Sequence, residues 1–520
     1  MITKGNSRNL GDPQNLSAKA QSCSSNAVNG GGRTVSPVGV GSVHSRGNIP
    51  RKRDEFQEGT LEGTDRAMQC NGETSSVLRD GEMTETKLKH ITQVAQENSL
   101  YKFTSLASLL SEDFLANCFL ELKKDKASGV DGVSVEEYGK ELRENLSELV
   151  GRMKRMQYRP QAVRRSYIQK DNGGKRPLGI PAVEDKIVQM GITKILEAIF
   201  DVDFLDVSYG YRRDRNCHAA LNRVDKAIMT KPINYIVDAD IKGFFDNVDH
   251  KWMVRCLEQR IADKNIIRLI VRFLKSGIME EGILYKTEQG TPQGGILSPI
   301  LSNIYLHYVL DLWVERKMKK ECVGYVEEIR YADDFIICVQ KKAEAEYILS
   351  ALHERLDKFG LSLSEEKTRL IEFGRYAKKN AIRRGGKSAT FDFLGFTHYC
   401  DKTRRGYFKV GRKTSRKKFL LKMKAMSSWL RSVRNKLHSA DIWKILSAKL
   451  IGHYRYYGVS GNYISISCFY YHTVRYIFKW LNRRSQKRSF NWHQFNVYLE
   501  RYPLPKPKLY HDFYTLAPTA

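Results

Sequence analysis

Three aspartates stand where carboxylate chemistry could be concentrated. The run Asn234-Tyr235-Ile236-Val237-Asp238-Ala239-Asp240-Ile241 is rich in β-branched and aromatic residues and lies between Lys231-Pro232 and Lys242-Gly243, which predicts a strand. Its period of two puts Ile236, Asp238 and Asp240 on one face. A carboxylate at the end of a buried strand is costly unless a cation or hydrogen-bond donors accompany it. The alternative for Asp240 is a strand-end cap of the following turn. Downstream, Tyr331-Ala332-Asp333-Asp334 runs into the wholly apolar Phe335-Ile336-Ile337-Cys338-Val339, predicting a hairpin with two carboxylates at its tip. An Asp-Asp pair in a turn is commonly just solvated, but an aromatic before it and an apolar strand after it argue against a purely solvent-facing loop. Brought together, the three like charges call for a divalent cation, and hard oxygen ligands select Mg²⁺ or Mn²⁺. Two such ions roughly 3.5–4 Å apart can activate a 3′-hydroxyl and stabilise departing pyrophosphate during in-line attack on a nucleoside triphosphate.

The rest of the chain must position these groups. With 520 residues the sequence is long enough for several cores, and 41 % hydrophobic and 11 % aromatic content suits a globular protein. Residues 1–85 are rich in Gly, Ser and Asn with Phe56 as their one aromatic, which predicts a disordered leader. From 86 to 400, β-rich runs alternate with helical stretches in an α+β pattern. Near 405 the composition turns basic, and long helical patterns follow to about 510, with 511–520 as a tail. The whole chain carries +29, and residues 401–490 hold 23 Lys/Arg against two Asp/Glu, or 21 of that surplus. Trp429, Trp443, Tyr454, Tyr456, Tyr457, Tyr476 and Trp480 interleave with this charge, as in binders of structured nucleic acid. The nine cysteines form no C-x-x-C pair, and no run of eighteen apolar residues exists. These features point to a reducing cytoplasmic setting, free or in a nucleoid or ribonucleoprotein particle, with no membrane partner and no secretion.

The acidic motifs have company. Asp240-Ile241-Lys242-Gly243-Phe244-Phe245-Asp246, Gly290-Thr291-Pro292-Gln293-Gly294-Gly295-Ile296-Leu297-Ser298-Pro299 and Tyr331-Ala332-Asp333-Asp334 resemble, in order and spacing, motifs A, B and C of the group II intron-encoded reverse transcriptases and maturases. The resemblance covers roughly residues 100–510. It implies a right-hand polymerase: fingers and palm with an antiparallel palm sheet over 86–400, then an α-helical basic thumb, also called the X or maturase domain, over 405–510. It also implies two Mg²⁺ ions on Asp240, Asp333 and Asp334, with Mn²⁺ as a substitute, and as partners dNTPs, an RNA template, a DNA primer or target, and the parent intron RNA.

By the same resemblance Gln293 lies over the incoming nucleotide, with Ile241 beside it. Phe245 stands against the sugar, where a ring would clash with a ribose 2′-hydroxyl. The glycines of motif B let backbone approach a nucleotide, and Ser298-Pro299 read as N-cap and N1 of a helix. Tyr167 to Pro181 resembles the fingers hairpin, with Lys170 and Arg176 reaching the triphosphate. Leu361 to Thr368 resembles motif D, which makes Lys367 either a general acid for the leaving pyrophosphate or a surface residue after a turn. Phe393-Leu394-Gly395-Phe396 resembles the motif that closes the palm, and Arg212 in Ser208-Tyr209-Gly210-Tyr211-Arg212 is a candidate template contact. Candidate contacts to intron RNA are Arg412, Lys413, Arg416, Lys417, Lys418, Arg431, Arg434 and Arg455.

Many relatives continue into a Cys/His-rich endonuclease, whereas Cys400 and Cys468 stand isolated here, so a protein lacking that domain is expected. Two other readings share these motifs: a splicing-only maturase, against which the intact aspartates argue, and a domesticated relative working in phage defence or repair.

Overall fold

A computed structural model describes residues 74–514, apart from 170–173, 292–293, 485 and 487–488, with side chains from residue 85 onward except that of Gln169. Lys170 and Gln293 therefore lie outside the described residues, as does the expected leader up to residue 73. A helix is assigned over Thr74–Glu97, so helical structure begins ahead of Lys87, where the sequence pattern starts.

The described strands are β1 (Val163–Gln169), β2 (Lys175–Ile180), β3 (Tyr235–Asp240), β4 (Ile278–Glu280), β5 (Ile283–Tyr285), β6 (Val326–Tyr331), β7 (Asp334–Val339), β8 (Arg369–Glu372), β9 (Phe391–Phe393), β10 (Phe396–Lys402) and β11 (Phe408–Thr414). They form three sheets, ordered β2-β1-β4-β5, β6-β7-β3-β8 and β11-β10-β9. In the second, every neighbouring pair is antiparallel. The chain is thus mixed helix and sheet, as expected.

Both faces of the second sheet are covered. Phe335, Ile337 and Val339 join Val237 and Ala239 in a core shared with helices Val183–Phe200, Lys264–Leu274 and Ser298–Leu306. Ile336 and Cys338 join Ile236, Ile371 and Phe373 in a second core, which takes in helices Arg416–Val433, Ser439–Tyr457 and Tyr463–Leu481. A strand buried on both faces has no need of alternation, and β7 accordingly reads as a continuous apolar run.

Two expectations shift at this level. The division at 405 falls inside the β10–β11 hairpin, whose register runs from Phe396↔Thr414 to Lys402↔Phe408, and the second core continues across it. Composition turned basic there because surface charge changed, while the packing did not. The helix beginning at Ser298 takes Leu297 as its N-cap, with Pro299 in the first turn, one position from the sequence reading.

Candidate active site

The ladder between β3 and β7 makes Asp240 and Asp334 direct cross-strand partners. Tyr331 pairs with Asp334 to close the β6–β7 hairpin, so its loop is the two residues Ala332 and Asp333. Tight hairpin turns of this length need positive φ, and Ala332 adopts +58° without the freedom of a glycine. By the strand period, Asp238, Asp240 and Asp334 share one face of the sheet, with Asp333 at the tip.

Burial is the main influence on these carboxyls. It pushes Asp334 up to about 7, reinforced by the charges of Asp238, Asp333 and Asp240 and opposed by the Leu394 N–H. Asp333 is raised by burial against the charges of Arg176 and Lys367, and Asp238 by burial against Arg369. The cluster is short of positive charge. Besides Arg176, it comes from the start of β8 and the segment before it: Lys367 Nζ lies 2.6 Å from Asp240 Oδ2, and Arg369 Nη2 lies 3.1 Å from Asp238 Oδ2. The Ser364 N–H donates to the Asp240 carbonyl at 2.8 Å, which holds this segment on the end of β3. Among the described residues, no three His, Cys, Asp or Glu side chains already stand as a metal-binding group; Asp240 turns to Lys367 instead.

Arg176 is exposed on β2, and its charge acts on both Asp333 and Tyr211. Phe245 is half-buried against Phe244, with ring centroids 5.2 Å apart. Its carbonyl accepts the Thr291 N–H at 2.7 Å, which joins the segment after β3 to the glycine-rich loop. The glycines of that loop serve protein packing: a Cβ on Gly290 would come within 2.8 Å of the Phe245 and Asp246 carbonyl oxygens, and one on Gly294 within 2.8 Å of the Gly179 carbonyl oxygen. Ile241 is buried in the core, so its side chain is withdrawn from any ligand and only its main chain remains available.

Two basic residues are not surface contacts. The Arg212 side chain is 6 % exposed, pairs with Asp201 at 2.7 Å, and donates to the carbonyls of Asp201, Leu205 and Ser208. Arg412 is fully buried, paired with Asp225, and stacked 4.8 Å from the Phe513 ring. Both corrections have one cause, a partner carboxylate that removes the guanidinium from water. Lys413, Arg416, Lys417, Arg431 and Arg455 are exposed, while Lys418 and Arg434 are half-buried. Arg434 and Arg431 lie 5.1 and 6.0 Å from the Trp480 ring, which Lys479 and Arg483 also approach at 5.1 and 5.6 Å. The sequence reading missed Lys479 and Arg483, although their spacing of four on one helical pattern was the available signal.

The Ser208 to Arg212 stretch takes a different part from the one expected. Ser208 bridges to Arg330 on β6, and Gly210 presses on the hairpin turn so closely that a Cβ there would sit 2.3 Å from the Ala332 nitrogen. Gly210→Ala is expected to cost about 1–3 kcal/mol, read as a lower urea midpoint; an unchanged midpoint would mean that the turn yields without cost.

Comparison with known proteins bears on this arrangement. Residues 168–398 match the model of a family described as reverse transcriptase (RNA-dependent DNA polymerase). The group II intron-encoded protein LtrA of Lactococcus lactis subsp. cremoris is 31 % identical over 460 residues, covering 74 % of this chain and 75 % of that protein. The chain belongs to the group II intron-encoded reverse transcriptases. Protein YkfC of Escherichia coli (strain K12) is 30 % identical over 322 residues, covering 55 % of this chain and 84 % of that protein. A more distant relative of this reverse transcriptase is the mitochondrial nuclear intron maturase 4 of Arabidopsis thaliana, 26 % identical over 157 residues, covering 29 % of this chain and 19 % of that protein. As a reverse transcriptase the chain is an RNA-directed DNA polymerase. Among the described residues of this reverse transcriptase, no helix is long and apolar enough to cross a membrane.

Proposed function

We propose that the chain extends a DNA primer on an RNA template at Asp240, Asp333 and Asp334, and that its basic C-terminal helices bind the parent intron RNA to promote splicing and mobility. The observation that carries the reading is the pairing of Asp240 with Asp334 beneath Asp333 at the hairpin tip. In this reading β6-β7-β3-β8 is the palm, β2-β1-β4-β5 belongs to the fingers, and the helices from Arg416 to Leu481 form the thumb.

The carboxylates fit divalent cations. They are hard oxygen donors, and burial and mutual repulsion push Asp333 and Asp334 toward protonation. Asp240, Asp333 and Asp334 would hold Mg²⁺, two ions in all, with Mn²⁺ able to replace them. When bound, the ions lower the cost of charge on the attacking and leaving oxygens. The chain's own residues do the rest. Arg176 and Lys170 meet the triphosphate, and Gln293 covers the nucleotide. Lys367, held beside the site by Asp240, is the proton donor for departing pyrophosphate.

Phe245 excludes the ribose 2′-hydroxyl. Phe245→Ala is therefore expected to raise ribonucleotide incorporation about tenfold or more relative to deoxynucleotides, measured as the ratio of kcat/KM values; an unchanged ratio would remove this role. RNA binding rests on the exposed Lys413, Arg416, Lys417, Arg431 and Arg455, with Lys418 and Arg434 beside them. Primer extension and splicing of the flanking intron RNA, measured side by side with purified protein, test the two halves of the proposal separately. Extension without splicing would reduce it to polymerase alone, and splicing without extension to a maturase.

A further inference from the structure

Arg330 lies on β6 one residue before the hairpin-closing Tyr331, and it is fully buried. All five of its guanidinium N–H donors are used. Nε donates to Asp311 Oδ1 and Nη2 to Asp311 Oδ2, each at 2.6 Å, in a bidentate pair. Nη2 also donates to Ser208 Oγ at 2.8 Å. Nη1 donates to Asn303 Oδ1 at 3.1 Å and to the Ala332 carbonyl at 3.0 Å. Asn303 then donates from Nδ2 to the Gly210 carbonyl at 2.8 Å. The main chain repeats the link: the Arg330 N–H donates to Val207 at 2.8 Å, and the Tyr209 N–H to Arg330 at 2.9 Å.

Replacing a fully buried ion pair by an apolar pair of the same volume is often neutral, so stability alone is a weak account of this one. What it supplies is direction. Ala332 holds a positive φ that costs an alanine about 1–3 kcal/mol and persists only where the surroundings over-determine it. Here they do so from two sides, Arg330 on the Ala332 carbonyl and Gly210 on the Ala332 nitrogen. Asp311 ends a π-helical turn, His307–Asp311, a local widening of the helix that recurs at functional sites. Glu328, two residues before Arg330 on the same strand and fully buried, is pushed well above the usual carboxylate range by burial and by Asp311.

We propose that Arg330 is a positioning residue for the metal-binding turn: with Asp311, Asn303 and Ser208 it fixes the Ala332 peptide and so sets the aim of Asp333 and Asp334. This rests on the reading of those aspartates as metal ligands. Groups that orient metal ligands without touching the ion are typically worth roughly 10–100-fold in metal affinity or activity.

The test is Mn²⁺ binding to the full chain, followed by electron paramagnetic resonance, beside primer-extension kinetics for Arg330→Gln, Arg330→Lys and Asp333→Asn. Arg330→Gln should bind Mn²⁺ about tenfold more weakly and lose about 10²-fold in kcat. Its KM for primer–template should be unchanged, raised Mn²⁺ should restore part of the rate, and Arg330→Lys should fall between it and the parent. Unchanged Mn²⁺ affinity in Arg330→Gln, whatever its rate, would overturn the proposal. If Arg330→Gln does not fold, Ser208→Ala removes a single hydrogen bond and leaves the ion pair; a several-fold weaker Mn²⁺ affinity supports the proposal and an unchanged one overturns it. Should Asp333→Asn bind Mn²⁺ like the parent, the metal reading itself fails. Should Asp333→Asn lose Mn²⁺ while Arg330→Gln keeps it, only the positioning role fails.

Discussion

Asp333→Asn should abolish cDNA synthesis on a primed RNA template. Asparagine keeps the size of the side chain but removes the charge, and a cation bound by carboxylates contributes several kcal/mol to charge developing in phosphoryl transfer. A loss of about 4 kcal/mol corresponds to a rate lower by roughly 10³-fold. Folding should not suffer. Asp333 stands among Asp240, Asp334 and their neighbours with its carboxyl already raised by burial, so neutralising it relieves repulsion in the metal-free protein. Binding of intron RNA should persist as well, because the exposed basic residues lie elsewhere in the chain. Primer extension and RNA binding on one preparation check both halves. Retained polymerisation would remove Asp333 from the site, and lost RNA binding would reveal a folding defect instead.

The second large effect concerns a residue that sequence alone places on the RNA surface. Arg412→Met should destabilise the protein by about 3–5 kcal/mol, because it leaves the Asp225 carboxylate buried without its partner. Burial already raises the Asp225 carboxyl and Arg412 opposes that shift, so loss of the arginine works against the folded state above the ordinary carboxylate range. The double variant Arg412→Met/Asp225→Leu should recover most of the loss, since replacing both partners by apolar groups removes the orphaned charge. Urea unfolding of the parent, Arg412→Met and the double variant checks this. The salt dependence of RNA binding should be the same for the parent and the double variant, because a buried guanidinium displaces no counterion from a phosphate. A flatter slope would return Arg412 to the interface.

Arg412 also shows where sequence reading reaches its limit. Lys and Arg density marked the basic region, yet density says nothing about which way a side chain points. Arg412 is drawn inward by Asp225, 187 positions away, and Arg212 by Asp201, eleven positions away. The acidic residues were legible because their signal is local: a strand pattern ending in Asp240, and an aromatic, a two-residue loop and an apolar strand around Asp333-Asp334. The period of two even set Asp238 beside Asp240, and the structure adds that Asp238 is the strongest carboxylate influence on Asp334. The Lys367–Asp240 contact spans 127 positions, so Lys367 could be singled out while its partner could not. Gly290 and Gly294 also permit close approach of protein backbone from distant segments, as does Gly210, and no local pattern shows which segments those are. The basic turn in composition near 405 likewise recorded surface charge, while the β10–β11 hairpin and the second core run through it.

The central claim is that Asp240, Asp333 and Asp334 form one metal-binding centre. Fe²⁺ substituted for Mg²⁺ reduces added hydrogen peroxide to hydroxide and hydroxyl radical, with ascorbate returning Fe³⁺ to Fe²⁺, and the radicals cut the backbone beside the bound ion at sites that mass spectrometry reads. With primer–template and dNTP present, two clusters of cuts are expected, one around Asp240 and one around Asp333-Asp334, both suppressed by excess Mg²⁺. Cuts confined to other segments, or cuts at these two that Mg²⁺ does not suppress, would contradict it.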